Sequence, residues 1–180
     1  MLALADMTAM EMAGQAVALI ALGLCVAGFA STRDDRLMLA LIGANVAFAT
    51  QYALFQSWTA AVLTVLVILR IHLARRFQGN VAVMLGMLAV SGVAAVLTWQ
   101  SWVDLFPMTA MLLGTLGMFM LRGIPMRLFL AGAGLAWMGN NIAIGSVGAT
   151  LAEAMVVATN FVTILRLRRM RRRYPDVDLT

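Results

Sequence analysis

The sequence contains no lysine. Its thirteen basic residues are all arginine, they stand against eight acids, and charged residues fill only 12% of 180 positions. A water-soluble domain needs far more polar surface, so a soluble fold is excluded. There is one cysteine, Cys25, and one histidine, His72. A lone thiol closes no intramolecular disulfide, and no pair of metal ligands recurs at helical spacing. No Gly-rich phosphate loop follows a strand-like run. The three prolines stand at 107, 125 and 175, near the ends of apolar segments or in the tail, so no proline hinge is available inside a helix. Glu153 is the one acid inside an apolar segment, and the amides near it are poor acids and bases. These absences point away from an enzyme and from any metal or cofactor.

What remains is hydrocarbon. Hydrophobic residues make up 63% of the chain, and mean hydropathy is +0.93. Apolar runs recur along its length, each near the roughly 18–20 residues that cross a bilayer core. The expected spans are 13–30, 37–55, 58–74, 81–98, 105–121, 127–144 and 148–167. Pro107 stands near the start of its span, where a missing backbone N–H does little harm, and 122–127 is expected to form a short loop. The N-terminal stretch carries Asp6 and Glu11 and no basic residue. A secretory leader needs a positive n-region, so the first span is expected to be retained. The fold expected is all-α, a single membrane domain over 1–180.

The charges alternate with the spans. Every arginine lies in the segments after spans 1, 3 and 5, in the tail, or at the adjoining helix ends, while the opposite side has Asp6, Glu11 and Asp104. This is the positive-inside pattern. It predicts an N-terminus outside the cell and a cytoplasmic C-terminus. Trp58, Trp99 and Trp102 fall at the outer interface, as an aromatic belt would. The basic tail, 171–180, fits anionic lipid headgroups better than nucleic acid.

A shift of 89 positions aligns spans 1–3 with spans 5–7 without a gap. Ala21/Ala110, Leu24/Leu113, Gly28/Gly117, Arg33/Arg122, Gly43/Gly132, Ala47/Ala136, Ser57/Ser146 and Val67/Val156 are identities, and Phe48/Trp137 and Gln51/Asn140 are conservative pairs. The pattern predicts two repeats, 13–77 and 105–170, joined by a linker helix at 81–98. One intervening span gives both repeats the same orientation, as in parallel-repeat transporters. Gly43, Ala47, Gly132 and Ala136 have the small-xxx-small spacing that favours close helix packing.

Several residues carry a family resemblance: Arg33-Asp34-Asp35, Gly114-Thr115, Arg127, Trp137 with Asn141, Gly145-Ser146, Gly148, Thr150, Glu153, Asn160 and the arginine-rich exit of the last span. On these the chain resembles the YgjV-type family of bacterial inner-membrane proteins, whose location the resemblance implies. It departs from that pattern at Asn140 and Thr64, where the family would carry histidine and asparagine. The 3+1+3 layout is similar, more distantly, to SWEET and PnuC-type transporters. That likeness implies a solute path between two three-helix bundles, with Trp137 and Asn160 matching an aromatic–amide pair. Their mates at offset 89 are Phe48 and Ile71.

The candidate site follows from helical faces. Phe48, Gln51 and Tyr52 share one face of span 2, and Trp137, Asn140 and Asn141 share the matching face of span 6. An aromatic wall with an amide edge suits a small, neutral, ring-shaped solute. Glu153 and Asn140 are expected at similar depth, close enough to meet. Thr64 is the mate of Glu153, and Asn160 lies deeper. The expected substrate-binding set is Phe48, Gln51, Tyr52, Thr64, Trp137, Asn140, Asn141, Glu153 and Asn160. Polar groups in a span also serve as glue between helices. A small-solute transporter or facilitator is therefore the leading reading, and a non-transporting scaffold with a basic tail is its rival. Arg70 is expected to snorkel to the cytoplasmic interface, and His72 to lie there too. The reading admits an oligomer.

Overall fold

The structure, a computed structural model, describes the backbone of residues 8–30 and 34–173. Side chains are described except at 28–30, 34–38 and 171–173. Asp6, Arg33 and the lipid-binding expectation for the tail lie outside the described residues. Among those described there is no strand. Seven helices follow in order: α1 Ala9–Ala30, α2 Asp34–Leu54, α3 Trp58–Arg76, α4 Val81–Leu97, α5 Leu105–Met120, α6 Gly123–Ala143 and α7 Val147–Arg173. A 3-10 turn, Trp102–Asp104, precedes α5. Among the described residues, four stretches are long and apolar enough to cross a membrane: Ala9–Ala27, Trp58–Arg76, Trp102–Met120 and Val147–Met170. Leu39–Leu54 and Val81–Leu97 are apolar but shorter.

Helix ends follow local chemistry. Asn80 caps α4, its side chain accepting from the Val83 N–H at 3.1 Å. Asp104 and Ser101 form a reciprocal capping box before α5, which satisfies backbone donors that would otherwise be orphaned. The expected loop from Arg122 to Arg127 is shorter than predicted, because α6 already begins at Gly123. Pro125 sits in its first turn, where it breaks no intrahelical bond. The last helix also runs past the expected end, to Arg173. An arginine-rich sequence has good helix propensity and continues the helix beyond the apolar stretch.

Packing runs around a ring. Helix α1 contacts α2, α2 contacts α3, α3 contacts α5, α5 contacts α6, α6 contacts α7, and α7 returns to α1. Helix α4 packs on α3 and α5, outside that ring. The Gln15 amide of α1 holds the α6–α7 turn, donating to the Gly145 carbonyl at 2.6 Å and accepting from the Val147 N–H at 3.1 Å. The Trp58 N–H donates to Gln100 Oε1 at 3.1 Å, so the α2–α3 turn and the α4–α5 loop share one end. Trp58, Trp99 and Trp102 are exposed at that end. The Gly79 N–H donates to the Phe119 carbonyl at 2.8 Å, which places the α3–α4 and α5–α6 connections together at the other end. The two are called here the tryptophan end and the arginine end.

The α2–α3 and α6–α7 turns are the same turn, bond for bond, 89 positions apart. In the first, Phe55, Gln56 and Ser57 donate to the carbonyls of Gln51, Ala53 and Tyr52 at 2.9, 3.0 and 2.9 Å. In the second, Ile144, Gly145 and Ser146 donate to Asn140, Ile142 and Asn141 at 3.0, 3.1 and 2.8 Å. This is a Schellman closure, which needs a left-handed residue just past the helix. Gly145 supplies it with φ 75°, but Gln56 supplies it with φ 56°. A side chain in that region costs about 1 kcal/mol. Gln56→Gly is therefore expected to stabilise the protein by about 0.5–1 kcal/mol and Gly145→Gln to destabilise it by a similar amount. Equilibrium unfolding in mixed micelles checks both, and shifts of the same sign would contradict the turn geometry.

Candidate functional site

Four helices of the ring enclose a cleft of about 280 Å³. Its walls come from 45–52 of α2, 64–71 of α3, 127–137 of α6 and 153–160 of α7. The lining is built largely from mates at offset 89. Asn45 faces with Gly134, Phe48 with Trp137, Thr64 with Glu153, Val67 with Val156, Arg70 with Thr159, and Ile71 with Asn160. Twelve of the sixteen lining residues thus fall in pairs 89 positions apart, one member on α2 or α3 and the other on α6 or α7.

Six of the nine expected site residues line this cleft: Phe48, Tyr52, Thr64, Trp137, Glu153 and Asn160. Gln51, Asn140 and Asn141 do not. They stand at or next to the last turn of α2 and α6, nearer the tryptophan end, and all three have zero exposure. A shared helical face fixes direction and not depth, and one helical turn moves a side chain from the cavity into the seal above it. The expected meeting of Asn140 with Glu153 is not found. Neither Asn140 polar side-chain atom has a hydrogen-bond partner, and the same holds for its mate Gln51.

The seal has a definite chemistry. The Tyr52 hydroxyl donates to Asn141 Oδ1 at 2.8 Å, a bond between residues 89 apart. The Tyr52 ring stacks on Trp137, with centroids 5.6 Å apart and planes 15° from parallel. Both rings are nearly buried. A phenol donor that stays satisfied and a stacked indole close the tryptophan end without leaving the hydroxyl orphaned. Exposure rises in the other direction. Arg127 and Leu130 are half-buried and Thr159 is exposed.

Four polar lining residues lay outside the expected set: Asn45, Arg70, Arg127 and Thr159. Arg70 overturns the snorkelling expectation. It is 6% exposed, and its guanidinium lies over Gly114 of α5, where even a methyl group would collide with it. Its Nη1 donates to the Met111 sulphur at 3.4 Å and its Nε has no partner. Snorkelling needs a free path to the interface, and here the bare backbone of Gly114 gives the side chain a nearer seat. His72, by contrast, is exposed, as an interfacial residue would be.

Glu153 is half-buried, with one carboxylate oxygen beside Gly134. Asn160 donates to the Val156 carbonyl at 2.9 Å, which leaves its Oδ1 without a partner. The cleft therefore offers two rings, a carboxylate, two guanidinium groups, amides and hydroxyls within one small volume. Buried ionisable groups in a membrane protein are costly and mark solute or ion paths.

Comparison with known proteins agrees with the membrane reading. The family Imp-YgjV, described as bacterial inner membrane protein, matches residues 12–171. No curated protein and no solved structure matches the chain.

Proposed function

The chain belongs to the Imp-YgjV family of bacterial inner membrane proteins, and we propose that its cleft carries a small polar or ring-containing solute across that membrane. One observation carries this reading. The cavity is lined by six pairs of residues 89 positions apart, which supports a place for it between two related halves. In parallel-repeat transporters the solute site lies at the repeat interface. The repeat itself is supported by the matched turns. It is supported again by Gly43 facing Leu24 and Gly132 facing Leu113, a contact reproduced 89 positions on. These matches support the proposed 3+1+3 layout, with α1–α3 and α5–α7 as the two bundles and α4 as linker.

The proposal includes an orientation. Arginines at the α3–α4 and α5–α6 connections and none at the tryptophan end put the arginine end in the cytoplasm and the N-terminus outside. The cleft, sealed by Tyr52, Trp137 and Asn141, then faces inward. Phe48 and Trp137 flank the solute, and Glu153, Thr64 and Asn160 orient it. No step of this reading calls for catalysis.

The test is solvent access. In a Cys25→Ala background, Val156→Cys places a thiol on the cleft wall. A membrane-impermeant thiosulfonate is expected to label it from the cytoplasmic face, and blocking that face's entrance should slow the labelling. If the thiol is inert from both faces, the cavity is a dry seam and the scaffold reading replaces transport.

A further inference from the structure

Resting on the transport reading, we infer that the cleft selects a small zwitterion, with an ammonium end at Glu153 and a carboxylate end at Arg70. The depths of the lining residues decide which charge lies where. Glu153 stands six residues into α7, Thr64 six into α3, and Phe48 and Trp137 six before the ends of α2 and α6. These four therefore share a level, roughly 9 Å inside the tryptophan end. Arg70 stands twelve residues into α3 and Thr159 twelve into α7, a second level roughly 9 Å deeper. The cleft is thus polarised along its length.

The upper level is a cation site. A carboxylate stands with the Trp137, Phe48 and Tyr52 rings around the same cavity. Aromatic faces attract ammonium groups, and the attraction strengthens when water is excluded. The lower level is an anion site. The Arg70 guanidinium is nearly buried, its Nε is unpartnered, and its Nη1 reaches only a thioether among the described residues. A thioether is a weak acceptor. An unpaired buried cation is expensive, and a carboxylate from the solute removes that cost through charge-assisted hydrogen bonds. Neither Glu153 nor Arg70 is in an ion pair with a described residue. One solute bearing both charges neutralises both at once, where an amine or an acid alone leaves one charge buried. The 280 Å³ volume restricts the choice to small molecules, being at the low end of ligand sites. Arg127, nearer the arginine end, adds a second positive charge on the side of the cleft where the carboxylate end is held.

Titration calorimetry on the detergent-solubilised full chain tests this directly. The probes are linear ω-amino acids from glycine to 6-aminohexanoate and their trimethylammonium counterparts, with butylamine and butyrate as single-charge controls. The best zwitterion is expected to bind at least tenfold more tightly than either control. Arg70→Gln should erase its advantage over butylamine, and Arg70→Lys should keep part of it. Gly114→Ala, which displaces the guanidinium without removing its charge, should behave like Arg70→Gln. Glu153→Gln should erase the advantage over butyrate. The inference is overturned if either control matches the zwitterion, or if no member of the series binds. It is also overturned if the single variants unfold while Arg70→Gln with Glu153→Gln is as stable as the parent and binds equally, since the two charges then serve only each other. A cleft that labels at Val156→Cys yet binds no zwitterion sinks this inference alone. A cleft inert from both faces sinks the transport reading with it.

Discussion

Gly148→Val is expected to cost on the order of 3 kcal/mol, the largest loss of any single substitution where α7 meets α1. A Cβ built on Gly148 would lie 2.8 Å from the Ala18 carbonyl carbon, 2.9 Å from its Cβ and 3.0 Å from its carbonyl oxygen. Two of these three neighbours are backbone, so no rotamer change relieves the clash. The helices must separate, and Ala18, with zero exposure, loses its contacts. Separation also pulls Gln15 away from Gly145 and Val147, and with it the bracing of the α6–α7 turn. The ring of six helices is opened at the one contact that joins its first member to its last. Unfolding by denaturant in bicelles measures the loss. A second variant isolates the cause: Ala18→Gly removes one neighbour and leaves the two backbone atoms, so it should restore only a minor part. If Gly148→Val unfolds within 0.5 kcal/mol of the parent, the α1–α7 seam is not as close as described.

The helices were legible because bilayer length and backbone satisfaction leave a sequence few choices. An apolar run bounded by Gln56-Ser57, Gly79-Asn80 or Gly145-Ser146 has to be a helix that stops there, since an open strand edge cannot be satisfied in lipid. The start of α6 was placed late because Pro125 and Arg127 look like loop chemistry, whereas a first helical turn tolerates both. The six lining residues found from sequence share a property. Each is a ring or polar group on a helical face, and for all but Tyr52 the mate at offset 89 lines the same cleft. Gln51, Asn140 and Asn141 obey the same periodicity and still miss the cavity, because periodicity gives an angle about the helix and says nothing of where a cavity ends. Arg70 was missed for a different reason. Its seat depends on an absent side chain, Gly114, on a helix that is not adjacent in sequence, and close approach of that kind appears only once α3 and α5 are brought together.

On the proposed repeat, the two halves keep one frame and divide the chemistry. Thr64 and Glu153 occupy equivalent positions, as do Arg70 and Thr159, so each half gives one charge and one hydroxyl at opposite levels. A strictly symmetric duplication would have given two carboxylates at one level and two guanidinium groups at the other, with like charges facing across about 280 Å³. Like charges so confined repel strongly in a low-dielectric interior. Dividing them gives the cavity a direction, which suits an asymmetric solute and a membrane with two different faces.

Trp137→Ala is expected to cost about 3 kcal/mol, several times the cost of Phe48→Ala at the mate position. The indole is 8% exposed and stacked on Tyr52, while Phe48 is only partly buried against the same core. In a bilayer the transfer of apolar surface from water contributes little, because the unfolded helix already lies in lipid. The loss is therefore mostly packing, from dispersion contacts that have no replacement once the ring is gone. Truncation also frees the Tyr52 ring and loosens its hold on Asn141, so the seal at the tryptophan end weakens together with the cation site. Trp137→Phe keeps a flat face and should lose less than about 1.5 kcal/mol. Stability alone does not separate a wall from a binding surface, so the second readout is selectivity. Trp137→Ala should weaken binding of butylamine about tenfold and leave butyrate nearly unchanged, because the ring attracts the ammonium group and makes no charged contact with a carboxylate. Equal losses for both probes would assign Trp137 to packing and leave Glu153 alone as the cation site.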